Sequence, residues 1–219
     1  MPKANLSDPV QDRFEKRMAF DSHLKRYKQA MRAGCYLEAL MIDYACLEDR
    51  LRYLLFYLGM LQSPLSGSIG SRRTAASYKR ILDRYMQKGD RTIRHIAGKR
   101  NLIRCIFLLA AENKPDQNDV VQTVLCASLS DVVRVREVLD LMKEIETWCD
   151  YRNAVVHDLL DKSVVSLDEH LAEQAELGNK LFRRLDNIVG WVDRKHISRK
   201  IGIEISRSRQ KNKQGRRLL

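Results

Sequence analysis

The sequence is poor in the residues that interrupt helices, since its 219 residues include only ten glycines and four prolines. Aromatic residues make up 7% of the chain, while aliphatic and charged residues dominate. β-Sandwiches and other sheet folds need frequent turns rich in glycine and proline, so this composition disfavours them. The length is sufficient to bury one full core. We therefore predict an all-α fold, a bundle of five or more helices.

Cysteine is also too scarce and too scattered to form a disulfide framework or a zinc site. The five cysteines are Cys35, Cys46, Cys105, Cys126 and Cys149. They are odd in number and no two form a C-x-x-C pair, so buried, reduced thiols are the preferred interpretation. His23, His170 and His196 have no carboxylate or cysteine at the spacing of metal ligands. We predict no metal and no cofactor.

Long apolar runs are missing as well. The longest, LLFYLGML and CIFLLAA, fall well short of the roughly 20 residues that span a bilayer. The N-terminal segment MPKANLSDPVQDRFEKR is polar and does not resemble a signal peptide. We expect a soluble, cytoplasmic protein without membrane contact.

Positive charge is abundant but unevenly distributed. The formal net charge is +12. Residues 72–104 contain eleven Lys and Arg against two Asp, and residues 194–219 contain ten against one Glu. Each segment thus has a net charge of +9, and the rest of the chain has −6. This asymmetry favours a polyanionic partner such as a nucleic acid, although many basic ends are only solvated.

The clearest predicted helix lies in CYLEALMIDYACLEDRLRYLLFYLGML, residues 35–61. Apolar residues recur every seven positions in two series that are offset by three, which places them on one stripe. The stripe consists of Leu37, Leu40, Tyr44, Leu47, Leu51, Leu54, Leu58 and Leu61. Glu48 lies at the edge of the stripe, where a carboxylate needs water or a partner such as an arginine.

Turn residues and charge patterns predict the other helices. Helices are expected over 12–31, 74–88 and 91–112, and a helix that begins at 166 and extends to about Arg194. The predicted N-caps after residue 113 are Asn118 or Asp119, Ser130 and Ser166. The segment QSPLSGSIGSRRTAAS lacks a G-x-x-x-x-G-K-[ST] pattern and is predicted to be a linker.

The predicted domain organisation has three parts. Residues 1–12 are expected to be disordered, residues 13–200 to form the helical domain, and residues 201–219 to form a flexible basic tail. The end of the chain, SRSRQKNKQGRRLL, has few apolar residues to bury.

The segment CDYRNAVVHDLL, residues 149–160, carries the most informative motif. On a helix ending near residue 161, the predicted buried face comprises Trp148, Val155 and Leu159, with Tyr151 and Val156 beside it. Asn153 and His157 are four residues apart and lie opposite this face, so His157 is expected to face outwards. Arg152 lies about 140° from His157, nearer the buried edge. A second copy related by two-fold symmetry would bring two such motifs into one cleft.

These residue types suit the cleavage of RNA without a metal. Histidine can take the proton of a ribose 2′-OH or donate one to the leaving 5′-oxygen. Arginine can stabilise the charge of the phosphorane, and asparagine can orient oxygens or the histidine. Glu48 or Asp158 would orient Arg152. Arg and His at this spacing also occur by chance, so the alternative that these three are ordinary surface residues of a helix stays open.

The motif and the preceding amphipathic helix resemble the HEPN superfamily. Those all-α domains are marked by Arg, four to six residues, and then His, often with Asn directly after the Arg. Arg152, Asn153 and His157 match this motif with the four-residue spacing. Glu48 resembles the acidic helical residue of many members, and the similarity covers about residues 30–195.

The resemblance implies a homodimer with the motifs at its interface and a metal-independent endoribonuclease activity. Such members include toxins of toxin–antitoxin pairs and CRISPR effector nucleases, which implies a role in phage defence and an antitoxin or a larger effector protein as partner. Other members are inactive, so a non-catalytic RNA-binding or regulatory module, or a subunit of a larger nuclease, is the alternative.

The basic residues of segment 72–104 are predicted to contact the RNA backbone, which would make binding sensitive to salt. The candidates are Arg72, Arg73, Lys79, Arg80, Arg84, Arg94, Lys99 and Arg100. Tyr78 and Tyr85 lie between them and either stack on bases or pack in the core.

Overall fold

The computed structural model of the chain describes residues 13–64, 70–86, 93–158 and 164–215. Within these ranges the chain is helical and contains no extended strand, which confirms the predicted all-α fold. The helices are α1 (Arg13–Arg32), α2 (Tyr36–Tyr57), α3 (Arg72–Tyr85), α4 (Ile96–Glu112), α5 (Val120–Ser128), α6 (Val132–Asp158), α7 (Val164–Asp193) and α8 (Ile197–Gly215). The N-terminal residues 1–12, predicted to be disordered, lie outside the described residues.

Helix α2 is the central element of the bundle, since it contacts α1, α4, α7 and α8. Six of the eight side chains in the predicted apolar stripe are fully buried, and only Leu37 and Tyr44 are half-buried. Burial of a leucine side chain stabilises a fold by about 1.5 to 3 kcal/mol. The stripe therefore explains both why this segment is helical and why it lies at the centre.

The cap of α5 agrees with the prediction, whereas that of α6 does not. The Oδ1 atom of Asp119 accepts hydrogen bonds from the backbone N–H groups of the second and third residues of α5. At the start of α6 the capping side chain is Asp131, which accepts a hydrogen bond of 3.1 Å from the backbone N–H of Arg134. The prediction of Ser130 was wrong by one residue, because a carboxylate at 131 is in reach of the same amides.

Helix α8 corrects the prediction of a flexible tail from residue 201. It continues to Gly215, and its side chains Ile197, Ile201 and Ile205 are buried where α8 packs against α5. These isoleucines are spaced by four residues and form a stripe that covers the core on one side. Residues 216–219 lie outside the described residues.

Helices α6 and α7 approach each other closely at Gly178. A Cβ atom at this position would lie 2.6 Å from Cζ2 of Trp148 and 3.0 Å from Oδ2 of Asp43, so a side chain there would clash. The indole Nε1 of Trp148 donates a 2.8 Å hydrogen bond to the backbone carbonyl of Gln174. This contact and the close approach at Gly178 set the rotation of α6 against α7.

Candidate functional site

The rotation of α6 places the motif side chains as the sequence predicts. Trp148 and Val155 are buried, with 1% and 5% of their surface exposed. Asn153 and His157 are exposed on the opposite side of the helix. The predicted buried face is thus confirmed for the described residues; Leu159 lies outside them.

Arg152 is turned towards α2 and is held there by three contacts. Its guanidinium carbon lies 4.4 Å from the centre of the Tyr44 ring, and its Nη2 lies 2.9 Å from the sulfur of Met41. Its Nη1 donates a 3.1 Å hydrogen bond to Oδ1 of Asn153. A guanidinium stacked on an aromatic ring gains about 0.5 to 2 kcal/mol of cation–π attraction. The three contacts together hold the guanidinium of Arg152 between α2 and Asn153.

One atom of Arg152 is left without a partner. Its Nε is buried and forms no hydrogen bond within the described part of the chain. A buried donor without an acceptor costs about 1 to 3 kcal/mol. Such groups are rare in folded proteins.

Glu48 has a different partner from the one predicted. Its Oε1 lies 2.6 Å from Nζ of Lys99, which also donates a hydrogen bond to the backbone carbonyl of Arg94. Glu48 thus joins α2 to α4, and the described contacts of Arg152 are made by Tyr44 and Met41 instead. The side chain of Asp158, the other predicted partner of Arg152, lies outside the described residues.

Tyr44 and Met41 are the members of this site that sequence reasoning missed. Tyr44 was assigned to the apolar stripe, and Met41 lies three residues before it on the flank of that stripe. Met41 is 42% exposed although it lies on the central helix α2, and this exposure is the signal that marks it. Burial raises the pKa of Tyr44, so its ring stays a neutral phenol beneath the guanidinium.

Two of the predicted RNA-binding residues are structural instead. Lys99 and Arg100 are only 4% and 7% exposed. Lys99 pairs with Glu48 of α2, and Nη2 of Arg100 lies 2.5 Å from Oε1 of Glu146 on α6. These pairs cross-link α4 to its two neighbours, so the prediction that Lys99 and Arg100 contact RNA was wrong.

Two further predicted cations are partly neutralised by carboxylates. Nη2 of Arg80 lies 2.6 Å from Oδ2 of Asp119, and Nη2 of Arg84 lies 2.8 Å from Oε2 of Glu112. Arg84 also donates to the backbone carbonyl of Lys114. Both arginine side chains remain about half exposed, at 52% and 40%. They can meet an RNA phosphate only in competition with these partners.

The remaining predicted cations lie at the surface. Arg72, Lys79 and Arg94 are exposed and Arg73 is half-buried. Tyr78 is fully buried and its hydroxyl donates to the backbone carbonyl of Leu58, so it is a core residue rather than a base-stacking one.

The cysteines are free thiols, and all except Cys35 are buried. The prediction of buried thiols is therefore wrong for Cys35 and confirmed for the others. Burial raises the pKa of Cys46 to about 12 and the pKa of Cys149 to about 11, which removes them as nucleophiles at neutral pH.

No three His, Cys, Asp or Glu side chains of the described residues are grouped so that they could hold a metal ion. Within the same residues, no helix is both long and apolar enough to cross a bilayer. Comparisons of the chain with protein-family models, with curated proteins and with solved structures gave no match.

Proposed function

We propose that the chain is a metal-independent endoribonuclease of the HEPN type, in which Arg152, Asn153 and His157 cleave cytoplasmic RNA at a homodimer interface. The observation that carries this proposal is the placement of Arg152. Its guanidinium is clamped on Tyr44 and bonded to Asn153, while the exposed His157 follows Asn153 by one helical turn.

The chemistry assigns each residue a role in an in-line transesterification. The ribose 2′-oxygen attacks the adjacent phosphorus while the bond from phosphorus to the 5′-oxygen breaks, which gives a 2′,3′-cyclic phosphate and a 5′-hydroxyl. His157 of one chain takes the proton from the 2′-OH, and His157 of the other protonates the 5′-oxygen. Arg152 stabilises the negative charge on the phosphorane oxygens, and Asn153 keeps its guanidinium in place.

A two-fold dimer is the arrangement that this chemistry requires. Arg152 and His157 point about 140° apart on α6, so one chain does not present both to the same phosphate. The exposed Met41 and Ala45, one turn apart on α2, form an uncharged surface beside Arg152. A second copy would cover this surface and place two histidines in one cleft. An antitoxin or a larger effector protein is a further proposed partner.

The test is incubation of the purified chain with end-labelled mixed RNA in EDTA. We expect products that end in 2′,3′-cyclic phosphate, and we expect His157→Ala to abolish them while light scattering still shows a dimer. The matched control is His23→Ala, which removes an exposed histidine from α1 and should leave the rate unchanged. Arg152→Lys, which retains the charge but loses the guanidinium plane, should lower the rate at least 100-fold, as is typical for removal of one charge-stabilising donor.

A second function, a non-catalytic RNA-binding module, is favoured by one observation. The half-buried Arg152 joins α6 to α2 as a structural residue would. In that case no RNA is cleaved, and binding to RNA is the same for His157→Ala and for the unmodified chain. That pair of results, obtained with a folded dimer, would overturn the ribonuclease proposal.

A further inference from the structure

An open pocket of about 430 Å³ lies between α1 and α7, and it contains none of the motif residues. Its volume is in the range of roughly 300 to 1,000 Å³ that is typical of small-molecule sites. On α1, Lys28 and Arg32 are one turn apart and line the pocket, and on α7, Lys180 and Arg183 do the same. Two pairs of cations from different helices thus share one cavity.

The positive charge of this pocket is only partly balanced by the protein around it, since four cations and one carboxylate line it. Glu176 is the one acidic residue among those that line it. Within the described residues, no carboxylate forms an ion pair with Lys28, Arg32 or Lys180. In contrast, the nearby Arg26 is paired with Glu38 at 2.5 Å. Like charges held together repel one another, so an anion that entered the pocket would be attracted by several of them at once.

The floor of the pocket is polar and adds little negative charge. Asn179 is 7% exposed, and its Nδ2 donates a 3.4 Å hydrogen bond to Oδ1 of Asp43, which lies behind it. Asp43 is 1% exposed, and its Oδ2 has no hydrogen-bond partner within the described residues. Burial raises the pKa of Asp43 to about 8, so this carboxyl is mostly neutral at pH 7 and does not oppose an anion.

One wall of the pocket is apolar and held in place. The ring of Tyr27 is half-buried, and its hydroxyl donates a 3.2 Å hydrogen bond to the backbone carbonyl of Ala175. Met31, one turn further along α1, is half-buried beside it. A fixed aromatic ring beside a group of cations suits a ligand that joins a planar group to a negatively charged one.

We propose that this pocket binds a nucleoside phosphate. The phosphate lies between the cations of α1 and α7, where Arg32 and Arg183 can each donate two hydrogen bonds to its oxygens. The nucleoside lies against Tyr27 and Met31. A free nucleotide and the phosphorylated end of an RNA share this chemistry. The proposal does not depend on the ribonuclease proposal, because it involves no residue of α6.

The test is titration calorimetry of the full chain with AMP, with adenosine and with inorganic phosphate. We expect saturable binding of one AMP per chain, and binding of phosphate and adenosine at least tenfold weaker. The double variant Lys180→Ala/Arg183→Ala should weaken the binding of AMP at least tenfold. Its matched control, Arg136→Ala/Lys143→Ala, removes two exposed cations from α6 and should leave the affinity unchanged.

Three results would overturn the proposal. They are the absence of AMP binding, an equal loss in the control variant, and phosphate binding as tight as AMP binding, since the last would exclude a nucleoside subsite. Displacement of AMP by a 5′-phosphorylated trinucleotide would identify an RNA end as the ligand, and its failure would identify the free nucleotide. His157→Ala should not change AMP binding, so the failures of the two proposals are distinguishable.

Discussion

Two segments of the chain have the same net charge of +9, but the fold uses their cations differently. In residues 72–104, four cations pair with carboxylates of the helical body, and two of these cations are buried. The four are Arg80, Arg84, Lys99 and Arg100. On α8, in contrast, Arg199, Lys200 and Arg209 are exposed, and Arg207 pairs with Glu204 one turn earlier on the same helix.

The difference shows that formal charge is a poor measure of the field that a partner meets. The two charges of an ion pair inside the helical body cancel most of each other's field. If the cation turned away to bind another anion, its carboxylate would be left unpaired in an apolar environment. Exposed cations on a surface helix retain their field, which salt screens over roughly 10 Å. The four paired cations of segment 72–104 therefore act mainly on stability, whereas the exposed cations of α8 keep their field.

The largest expected effect is on the free energy of unfolding, when one lysine of each segment is replaced by alanine. Lys99→Ala removes the cation that faces Glu48, and we expect the free energy of unfolding to fall by about 2 to 3 kcal/mol, because a partly buried carboxylate loses its partner. Lys200→Ala on α8 should change it by less than about 0.5 kcal/mol. Urea denaturation of both variants measures the difference, and equal effects would contradict the comparison.

The same contrast applies to two buried carboxyls. Asp119 pairs with Arg80 of the first segment, whereas the partner of Asp43 among the described residues is the neutral Asn179. Burial raises the pKa of Asp43 to about 8, so the folded chain binds this proton more tightly than the unfolded chain. Its stability contribution is complete below about pH 4 and is lost as the pH rises to about 8.

We therefore expect Asp43→Asn to be more stable than the unmodified chain at pH 9, by about 2 kcal/mol, and to show no such advantage at pH 5. Asp193→Asn, at an exposed position, is the matched control. Urea denaturation at the two pH values tests this. An advantage that is the same at both would show that Asp43 is ionised in the fold.

A smaller effect is expected on the binding of RNA. Arg199→Ala/Lys200→Ala should weaken binding about tenfold at low salt and lower the slope of log affinity against log salt by about 2, since two phosphate contacts are lost. Arg80→Ala/Arg84→Ala, whose cations are already paired, should weaken binding less than about threefold. Fluorescence anisotropy over about 50 to 200 mM salt measures both slopes. A larger loss of RNA affinity in Arg80→Ala/Arg84→Ala than in Arg199→Ala/Lys200→Ala would show that RNA binds segment 72–104 and not α8.

The smallest effect concerns the pair between Arg80 and Asp119. Burial alone would raise the pKa of Asp119, but hydrogen bonds from Arg80 and from the backbone of Gln122, together with the positive charge of Arg80, outweigh it and lower the pKa below its usual value. Such a group stabilises the fold at neutral pH, and this contribution is lost as the pH falls through the folded pKa.

Arg80→Ala should accordingly lower the free energy of unfolding at pH 7 by up to about 1 kcal/mol, because Arg80 is half exposed, and move the acid transition to higher pH. Lys79→Ala, at the exposed neighbouring position, should do neither. Thermal unfolding followed by circular dichroism between pH 2 and 7 tests the prediction. An unchanged acid transition in Arg80→Ala would mean that the backbone cap alone holds the pKa down.

Much of the fold follows from the sequence because helices are specified locally. The stripe of α2, the cap at Asp119 and the buried face around Trp148 depend on residues within a few positions of one another. The sequence also contains the apolar stripe of α8, at Ile197, Ile201 and Ile205. The many basic residues around it nevertheless led to the prediction of a flexible tail. For this segment, apolar residues spaced by four positions predict a packed helix better than the average composition does.

The sequence by itself determined which residues face the core, where most helices begin and end, and that Asn153 and His157 point outwards. Only the tertiary structure decided which partners the charged side chains have: Lys99 pairs with Glu48 across 51 residues of sequence, and Arg152 contacts the neutral sulfur of Met41 across 111. The pocket between α1 and α7 likewise depends on the tertiary structure, because residues far apart in the sequence line it. Helical periodicity is fixed by neighbours one turn away, whereas the partners of a charged side chain depend on how the helices cross once their apolar faces are buried.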